Sequence, residues 1–359
     1  MFIKKLSLFI VLALCVPVAA LAQMNKPVLK VEDAGLKIEG DPRIGVKWPY
    51  KGVDKGVEYD ISGYVIAPEA SYGKGPFPAM IITHGYGGHA EGFVGNLGRI
   101  IKNWGGGIVC IGVSMTHAGA PDNIGKPDGG RGACEANLLR AAKCLEVLAQ
   151  FSVKKDGFSV NMKKVGAYGF SMGGSLTTML LGDSRTAGKF YMGMIAGAGE
   201  GSTGVTKAMV QGIKVPILIL HGNYDSTDGD RQPAGKRSIL AEKMIATLRG
   251  TTIKFNSGGA PGGLPDSGVN KGIDFDKTYN WNTRPLPELY ARDPERYTLV
   301  SKGVNDAKFR FIDYETGQHT TINPSLGLQA TDGAYMIPAF KDWVLRTGFL
   351  KYIDTPVAK

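Results

Sequence analysis

Apolar residues in this chain fall into short runs separated by longer stretches of mixed polarity. Val57 to Ala67 alternates apolar and polar residues, as a half-buried strand does. Six further runs are short and mainly apolar, which is typical of strands buried on both faces. They are Pro78–Thr83, Gly107–Val113, Val165–Gly169, Tyr191–Ala196, Val215–Leu220 and Phe309–Asp313. We predict a strand at each of these places.

Amphipathic stretches lie between most of the strands. The clearest runs from about Arg131 to Phe151, where one face carries Cys134, Leu138, Ala141, Leu145 and Leu148 at spacings of three or four. The remaining helical or amphipathic stretches are Phe93–Trp104, a segment that starts at Met172, Ser238–Leu248 and Gly333–Arg346. This alternation predicts an α/β fold with a mostly parallel, doubly wound sheet and helices on both faces. Such sheets bind ligands at the carboxyl ends of their strands.

One segment interrupts the alternation of strands and helices. Ser257 to Lys302 is rich in Gly, Pro, Asn and aromatic residues, with only a weak helical stretch near Pro287 to Tyr297. Long connections without regular structure are uncommon in compact domains unless they are functional, so we interpret 257–302 as an insertion that forms a lid or a binding loop. Trp281, Tyr279 and Tyr290 either line a substrate pocket there or anchor the insertion to the domain.

The N-terminus has the pattern of an export signal. Lys4 and Lys5 precede an apolar run that ends near Val18, and Ala20-Leu21-Ala22 matches the small-x-small cleavage pattern. We expect residues 1–22 to be a signal peptide and 23–359 to form a single periplasmic or secreted domain. The apolar run is short for a membrane anchor, so we expect no stable one. The chain of 359 residues is 43% hydrophobic and 21% charged, as globular proteins are.

Charge and cysteine content narrow the function classes. Loss of Lys4 and Lys5 lowers the formal net charge from +10 to +8, and the basic residues are scattered, which does not indicate a nucleic-acid site. Cys134 and Cys144 lie ten residues apart on one predicted helix, about 15 Å, which is too far for a disulfide. Cys110 either pairs with one of them or all three are buried thiols. Neither charge nor cysteine content indicates an oligomeric state.

Gly169-Phe170-Ser171-Met172-Gly173 matches the pattern G-x-S-x-G, and the residues on both sides support the match. A strand leads into it and a helix-compatible run follows it, so the serine lies on a sharp strand-to-helix turn that needs glycine on both sides. The hydroxyl would be exposed at a helix N-terminus, where negative charge is favoured. We predict Ser171 as a nucleophile.

A serine nucleophile needs a base, normally a histidine oriented by a carboxylate. His84 and His221 each precede a glycine at the end of a buried strand, which suits a structural imidazole. His319 follows the last predicted strand and would lie at the carboxyl edge of the sheet, so we predict it as the base. His89 and His117 are the alternatives.

Asp225 is the preferred carboxylate because it follows the strand Val215–Leu220 between the serine and the histidine. Asp228 and Asp230 are close to it in sequence, and Glu200, which follows the strand Tyr191–Ala196, is a further candidate. The three aspartates do not have the spacing or the glutamate of a calcium loop, so we expect no metal and no cofactor.

Two backbone N–H donors should hold the oxyanion of the tetrahedral intermediate. Met172, the residue after the nucleophile, supplies one. The second should come from the loop after the strand Pro78–Thr83, where His84-Gly85-Tyr86-Gly87-Gly88 has the glycines that close approach requires, and Tyr86 is the predicted donor.

The segments HGYGG, GFSMGG, LHGNYD and GQH, in this order, resemble the α/β-hydrolase superfamily, in particular dienelactone hydrolases, acetyl esterases and cutinase-like polyester hydrolases. The resemblance covers about Tyr59 to Leu350 and implies a triad of Ser171, Asp225 and His319 with Tyr86 and Met172 as oxyanion donors. In that family the base follows the nucleophile, which disfavours His89 and His117. Polyester hydrolases carry a tryptophan where this chain reads Gly197-Ala198-Gly199-Glu200-Gly201.

The resemblance implies an exported serine esterase that acts on a small or polymeric ester, such as an acylated polysaccharide or a polyester. The alternatives are a peptidase or amidase on the same fold and a non-catalytic hydrolase fold that only binds.

Overall fold

The computed structural model describes residues 41–54, 57–115, 135–151, 157–202, 204–222, 239–248, 298–300, 308–314, 340–341, 343–351 and 353. All of them belong to the compact unit Val31–Lys359. Among these residues, no helix is both long and apolar enough to cross a membrane. The same part of the chain holds no group of three or more potential metal ligands.

Nine strands form a single sheet. They are β1 (Val46–Asp54), β2 (Val57–Ile66), β3 (Phe77–Thr83), β4 (Val109–Val113), β5 (Val160–Phe170), β6 (Met192–Ala196), β7 (Ile217–Gly222), β8 (Thr298–Val300) and β9 (Lys308–Tyr314). Their order is β1-β2-β4-β3-β5-β6-β7-β9-β8. The strands from β4 to β9 in this order pair in parallel, whereas β1, β2 and β8 are antiparallel to their neighbours.

The central strands are buried on both faces, which explains their continuous apolar runs. Every residue of β3, β4 and β6 is buried. Because β3, β5 and β6 run in parallel side by side, the residues that follow them leave the sheet at one edge. That edge carries the candidate site.

Five helices are described in full: α1 (Ala90–Ile101), α2 (Glu135–Phe151), α3 (Met172–Gly182), α4 (Lys207–Gly212) and α5 (Ile239–Leu248). Residues 340–341 and 343–346 are helical as well. Phe93 of α1 and Trp343 share a buried cluster with Tyr168 and Met194 of the sheet. Leu181 of α3 packs against Gly193, whose position faces the opposite side of β6 from Met194. Helices therefore cover both faces, as predicted.

The predicted elements match the observed ones except at the sheet edges and at one short helix. The strands predicted from the alternating and apolar runs correspond to β2 to β7 and β9, and their observed boundaries differ from the predicted ones by a few residues. The sequence did not indicate β1, α4 or β8. Because β8 is the strand Thr298–Val300, the segment 257–302 ends in a strand at the sheet edge, and the interpretation as one irregular segment was wrong there. The weak helical stretch 287–297 lies outside the described residues.

Two of the cysteines are buried free thiols, Cys110 on β4 and Cys144 on α2. Neither is bridged to the other or to Cys134, which itself lies outside the described residues. Burial raises the pKa of both thiols well above the usual range, so both stay protonated and are poor nucleophiles. Because the Cys110 thiol is free, the disulfide between Cys110 and another cysteine is excluded.

An ion-pair network that is buried at Arg185 and Asp183 and exposed at Glu135 joins α2 to the turn after α3. The guanidinium of Arg185 donates to the Asp183 carboxylate through Nε at 2.8 Å and Nη2 at 2.7 Å. It also donates to Glu135 at the start of α2, with 3.0 Å between Nη2 and Oε2. The Asp183 hydrogen bonds raise the pKa of Arg185 above its ordinary value, so the guanidinium stays charged.

Candidate active site

Ser171 is held in a strained backbone conformation between β5 and α3. Its φ of 57° makes it the only non-glycine residue with positive φ in the described part of the chain. The strain is held in place because Ser171 N–H donates to the Ala196 carbonyl of β6 at 2.8 Å. Its own carbonyl accepts the first helical hydrogen bond, from Ser175 N–H at 3.1 Å.

The side chain of Ser171 does not cap its own helix, although serine is a common N-cap residue. Three helical N–H groups, from Met172 to Gly174, therefore precede the first intrahelical bond and keep the donor character of a helix N-terminus. Ser171 is half-buried. The turn therefore places the half-buried Ser171 beside N–H groups that its own side chain does not cap.

Three glycines make this turn sterically feasible. A Cβ on Gly169 would lie 2.1 Å from the Gly173 carbonyl oxygen, and one on Gly173 would lie 2.0 Å from the Thr83 carbonyl oxygen. A Cβ on Gly174 would lie 2.7 Å from the Ala196 carbonyl oxygen. Each contact is closer than a Cβ can approach backbone atoms, so larger residues are excluded.

Thr83, the last residue of β3, hydrogen-bonds to the turn that contains Ser171 and to α3. Its Oγ1 donates to the Gly173 carbonyl at 2.7 Å and lies 2.9 Å from Oγ1 of Thr177 on α3. The Tyr168 carbonyl is 3.2 Å away. Sequence reasoning missed this residue, although a hydroxyl at the end of an otherwise apolar strand was a usable signal.

The glycine-rich loop after β3 packs directly against the turn. A Cβ on Gly85 would lie 3.5 Å from the Phe170 carbonyl oxygen, and a Cβ on Gly173 only 2.7 Å from the His84 carbonyl oxygen. Gly88 N–H donates to Gly85 O at 3.1 Å, with Gly87 at φ 79°. The segment that contains Tyr86 and the turn that contains Met172 thus lie side by side.

Two hydrogen bonds tie this loop to the end of β4. His84 is buried, its Nε2 accepts from Met115 N–H at 2.9 Å, and its Nδ1 lies 2.8 Å from the Gly85 carbonyl. The ring is therefore a neutral Nδ1–H tautomer with a structural role, as its position predicts. At the other end of the loop, Ser114 Oγ accepts from Ala90 N–H at 3.1 Å.

The strand order, the parallel centre and the strained serine between β5 and α3 together define the architecture. This is the α/β-hydrolase fold. The sheet reverses its strand order around β3 and β4 and places the turn that contains Ser171 at the carboxyl end of a central strand, where this fold carries its nucleophile.

No family model matches the sequence, and no curated protein matches it either. Solved structures of the α/β-hydrolase fold are similar to the chain at low identity. One, from Klebsiella pneumoniae and assigned as a dienelactone hydrolase, has a TM-score of 0.48 and 11% identity over 85% of this chain and 98% of its own. A Rhizomucor miehei esterase structure has a TM-score of 0.45 and 10% identity over 93% and 96%.

An acylaminoacyl peptidase from Pyrococcus horikoshii has a TM-score of 0.46 and 9% identity over 92% of this chain. This chain spans only 43% of the peptidase. Similarities this distant carry no information on substrate or activity, so both must be argued from the residues of the site.

The two predicted oxyanion donors differ in exposure. Met172 is buried, whereas Tyr86 is 57% exposed. The predicted role of Tyr86 involves only its backbone N–H, so the exposure of its ring does not bear on that role. The predicted base His319, the predicted acid Asp225 and the predicted pocket residues Trp281, Tyr279 and Tyr290 lie outside the described residues, as do Asp228, Asp230 and His117.

The other described histidines occupy different environments. His221 is buried at the end of β7, as expected of a structural imidazole. His89 is exposed, and its ring covers Gly92, where a Cβ would lie 2.7 Å from the His89 Cε1. It precedes α1 at the far end of the glycine-rich loop.

Glu200 lies on the loop after β6, which leaves the sheet beside Ser171. Ala198 of this loop contacts α3, because a Cβ on Gly174 would be 2.9 Å from the Ala198 Cβ. Glu200 is half-buried, and its Oε2 is fully shielded from solvent without a hydrogen-bond partner among the described residues.

Proposed function

We propose that this protein is a serine hydrolase that cleaves carboxylic esters through an acyl-enzyme, with Ser171 as the nucleophile. The observation that carries the proposal is the backbone of Ser171. A φ of 57° for a residue with a side chain is unfavourable and is retained where the surrounding structure holds it for function. The glycines and Thr83 provide that surrounding structure.

The reaction proceeds in two halves. Ser171 Oγ attacks the ester carbonyl carbon while His319 accepts the hydroxyl proton, and Asp225 orients the imidazole and stabilises its charged form. The N–H groups of Met172 and Tyr86 stabilise the oxyanion, which is usually the largest catalytic contribution. The C–O bond then breaks, and the alcohol leaves with the proton from His319.

In the second half, His319 removes a proton from water as the water attacks the acyl carbon. The tetrahedral intermediate collapses, the bond to Ser171 Oγ breaks, and the serine recovers its proton. No metal or other cofactor takes part in these steps. Residues 1–22 direct export to the periplasm or the medium, and Trp281, Tyr279 and Tyr290 shape the acyl pocket.

Export gives such an enzyme access to acylated polysaccharides and polyesters, which favours an ester over an amide substrate. The test is hydrolysis of p-nitrophenyl acetate and butyrate and of an aminoacyl anilide by the mature protein, together with labelling by a fluorophosphonate probe. We expect the esters to be hydrolysed and the anilide to be spared. Preferential cleavage of the anilide would make the protein a peptidase or amidase.

The variants Ser171→Ala and His319→Ala should each lower ester turnover by about a thousandfold or more. Ser171→Ala should also abolish labelling while the unfolding transition stays unchanged. A matched control is Ser202→Ala, which removes a hydroxyl from the neighbouring loop. Near-wild-type turnover in Ser171→Ala refutes the assignment of the nucleophile, and a fully active His319→Ala redirects the base to His89 or His117.

A further inference from the structure

The peptide group between Gly85 and Tyr86 is fixed by two hydrogen bonds to its oxygen. His84 Nδ1–H donates to the Gly85 carbonyl at 2.8 Å, and Gly88 N–H donates to it at 3.1 Å. A carbonyl oxygen has two lone pairs, so both are used. The peptide bond is trans, and its N–H therefore points away from its C=O. The N–H of Tyr86 is thus directed away from the buried His84 ring.

The orientation of the His84 ring is set from its other side. Nε2 accepts a hydrogen bond from Met115 N–H at 2.9 Å, just after the end of β4. A backbone amide can only donate, so Nε2 carries no proton and the ring proton lies on Nδ1. This bond therefore makes Nδ1 a donor and aims it at the Gly85 carbonyl. The side chain is buried, which shields both hydrogen bonds from competition by bulk water.

Gly85 lies against the turn that contains Ser171. A Cβ on Gly85 would be 3.5 Å from the Phe170 carbonyl oxygen, which belongs to the peptide group that precedes Ser171. Two residues beyond Ser171, a Cβ on Gly173 would be 2.7 Å from the His84 carbonyl oxygen. The next peptide group along the chain from Gly85 is the one that carries the predicted oxyanion donor.

We propose that His84 is a positioning residue that directs the Tyr86 N–H at the oxyanion. The inference rests on the proposed esterase function and on Tyr86 as the second oxyanion donor. Glycine has the widest choice of backbone angles, so Gly85 does not fix the plane of this peptide by itself. The hydrogen bond from Nδ1 holds the plane before the substrate arrives, and it polarises the peptide, which strengthens the N–H as a donor. Oxyanion donors contribute most when they are preorganised in this way.

Two amide variants separate the roles of the two ring nitrogens. In His84→Asn, the side-chain nitrogen can lie where Nδ1 lies and donate to the Gly85 carbonyl, but the side chain is too short to reach Met115. In His84→Gln, the longer side chain can bring its oxygen to the place of Nε2 and accept from Met115 N–H, but the donor to the Gly85 carbonyl is lost. Both variants are neutral, as the wild-type ring is. They therefore differ chiefly in which of the two hydrogen bonds they keep.

The assay compares p-nitrophenyl acetate with its thiono analogue, in which sulfur replaces the carbonyl oxygen. Sulfur accepts hydrogen bonds weakly, so the reaction of the thionoester gains little from oxyanion donors. The ratio of kcat/KM for the ester to kcat/KM for the thionoester, which we call the oxyanion ratio, therefore reports the donors. A smaller fraction of folded enzyme lowers both rates equally and leaves the oxyanion ratio unchanged.

We expect His84→Gln to lower the oxyanion ratio about tenfold to a hundredfold, since loss of a whole donor costs about a hundredfold or more and this donor is displaced but not removed. His84→Asn should keep a ratio close to that of the wild type. Ser114→Ala is the matched control, because Ser114 Oγ accepts from Ala90 N–H at the other end of the loop, at 3.1 Å. Its loss loosens the same loop away from the Gly85–Tyr86 peptide and should leave the ratio unchanged.

A double-variant cycle tests whether His84 acts through the Tyr86 N–H. Tyr86→Pro removes this N–H and suits the turn from Gly85 to Gly88, because proline is common at the second position of a turn whose third residue has positive φ, here Gly87 at 79°. Tyr86→Pro should lower the oxyanion ratio at least as far as His84→Gln does. In the Tyr86→Pro background, His84→Gln should lower it no further, because both changes act on one donor.

Several results would overturn the proposal. An unchanged oxyanion ratio in His84→Gln would show that His84 only supports the fold. A lowered ratio in folded His84→Asn would assign the effect to the Met115 hydrogen bond, and this variant decides alone if urea unfolding shows that His84→Gln does not fold. Additive losses in the double variant, or an unchanged ratio in Tyr86→Pro, would show that His84 does not act through the Tyr86 N–H.

Failure of this inference and failure of the proposed function are distinguishable. Each of the results above is measured on an active enzyme, so the esterase function stands whichever of them is found. A wild-type protein that hydrolyses neither p-nitrophenyl ester and is not labelled by the fluorophosphonate refutes the proposed function and this inference with it.

Discussion

Replacement of Thr83 by valine tests whether the geometry of the Ser171 turn depends on the end of the neighbouring strand β3. Valine has nearly the same shape, but it puts a methyl group where the Thr83 hydroxyl now lies, 2.7 Å from the Gly173 carbonyl oxygen. A carbon needs about 3.3 Å from such an oxygen, so the turn must move by about 0.6 Å. The variant also loses the hydrogen bond itself, because valine has no donor.

The magnitudes follow from these two changes. A lost hydrogen bond costs about 1 kcal/mol and overpacking in a tight site costs about 1–3 kcal/mol, so the free energy of unfolding should fall by about 2–4 kcal/mol. A displacement of about 1 Å can lower catalysis about a hundredfold, so a shift of about 0.6 Å should lower kcat about tenfold. Thr83→Ser keeps the hydroxyl and should restore kcat.

The assay is kcat on p-nitrophenyl acetate per fluorophosphonate-labelled site, with urea unfolding measured in parallel. Counting labelled sites corrects for any unfolded fraction, so the rate reports the geometry of the turn. Thr186→Val is the matched control, because the Thr186 hydroxyl is also buried but donates to Leu180 O at 2.6 Å, at the other end of α3. Equal kcat values for Thr83→Val and Thr186→Val would refute the argument.

Two predictions concern stability. Tyr168→Phe should raise the free energy of unfolding by about 1 kcal/mol, because the buried Tyr168 hydroxyl has no hydrogen-bond partner among the described residues; destabilisation in urea would show that the hydroxyl has a partner. Burial raises the pKa of Tyr168, so above pH about 10 the Tyr168 hydroxyl ionises in the unfolded state but not in the folded state. The free energy of unfolding of the wild type should therefore fall above this pH, and Tyr168→Phe should lack the part of the fall that Tyr168 causes. Arg185→Met removes the guanidinium that binds the buried Asp183 carboxylate and should cost about 3–5 kcal/mol in thermal or urea unfolding. The double variant Arg185→Met/Asp183→Asn should recover part of this loss, and no recovery would contradict the ion-pair account.

The sequence predicts the centre of the fold well and its edges poorly. Strands such as β3 and β6 are buried on both faces, so their apolar runs identify them directly. The edge strand β1 contains two lysines, and its Pro49 pairs with Ser62 of β2, where an outer strand tolerates a missing N–H donor. Its pattern therefore shows no apolar run. The strand β8 has only three residues, too few to produce a periodicity.

The same contrast holds for the site. The position of Ser171 on a strand-to-helix turn was predictable because the glycines, the strand and the helix around it are local in sequence, whereas its role as the nucleophile stays a prediction. The hydroxyl at the end of β3 marked Thr83 as unusual, but the partners of Thr83 and Ser114 could not be predicted, because Gly173 and Ala90 come from other parts of the chain and meet them only in the folded sheet. The assignments of Asp225 and His319 rest on chain order, and they stay predictions.

The nearest obstacle at each of the three turn glycines is a backbone carbonyl oxygen, and this affects how the site can diverge. A side chain that blocks a glycine can be trimmed by a second mutation, whereas the carbonyls of Thr83, Gly173 and Ala196 are present whatever residues stand there. A larger residue at Gly169 or Gly173 therefore has no compensating partner. In proteins that diverge from this sequence, Gly169, Gly173 and Gly174 should therefore be replaced less often than Ser171. A lineage that abandoned catalysis could replace Ser171 and still keep the pattern G-x-x-x-G-G as a record of the architecture.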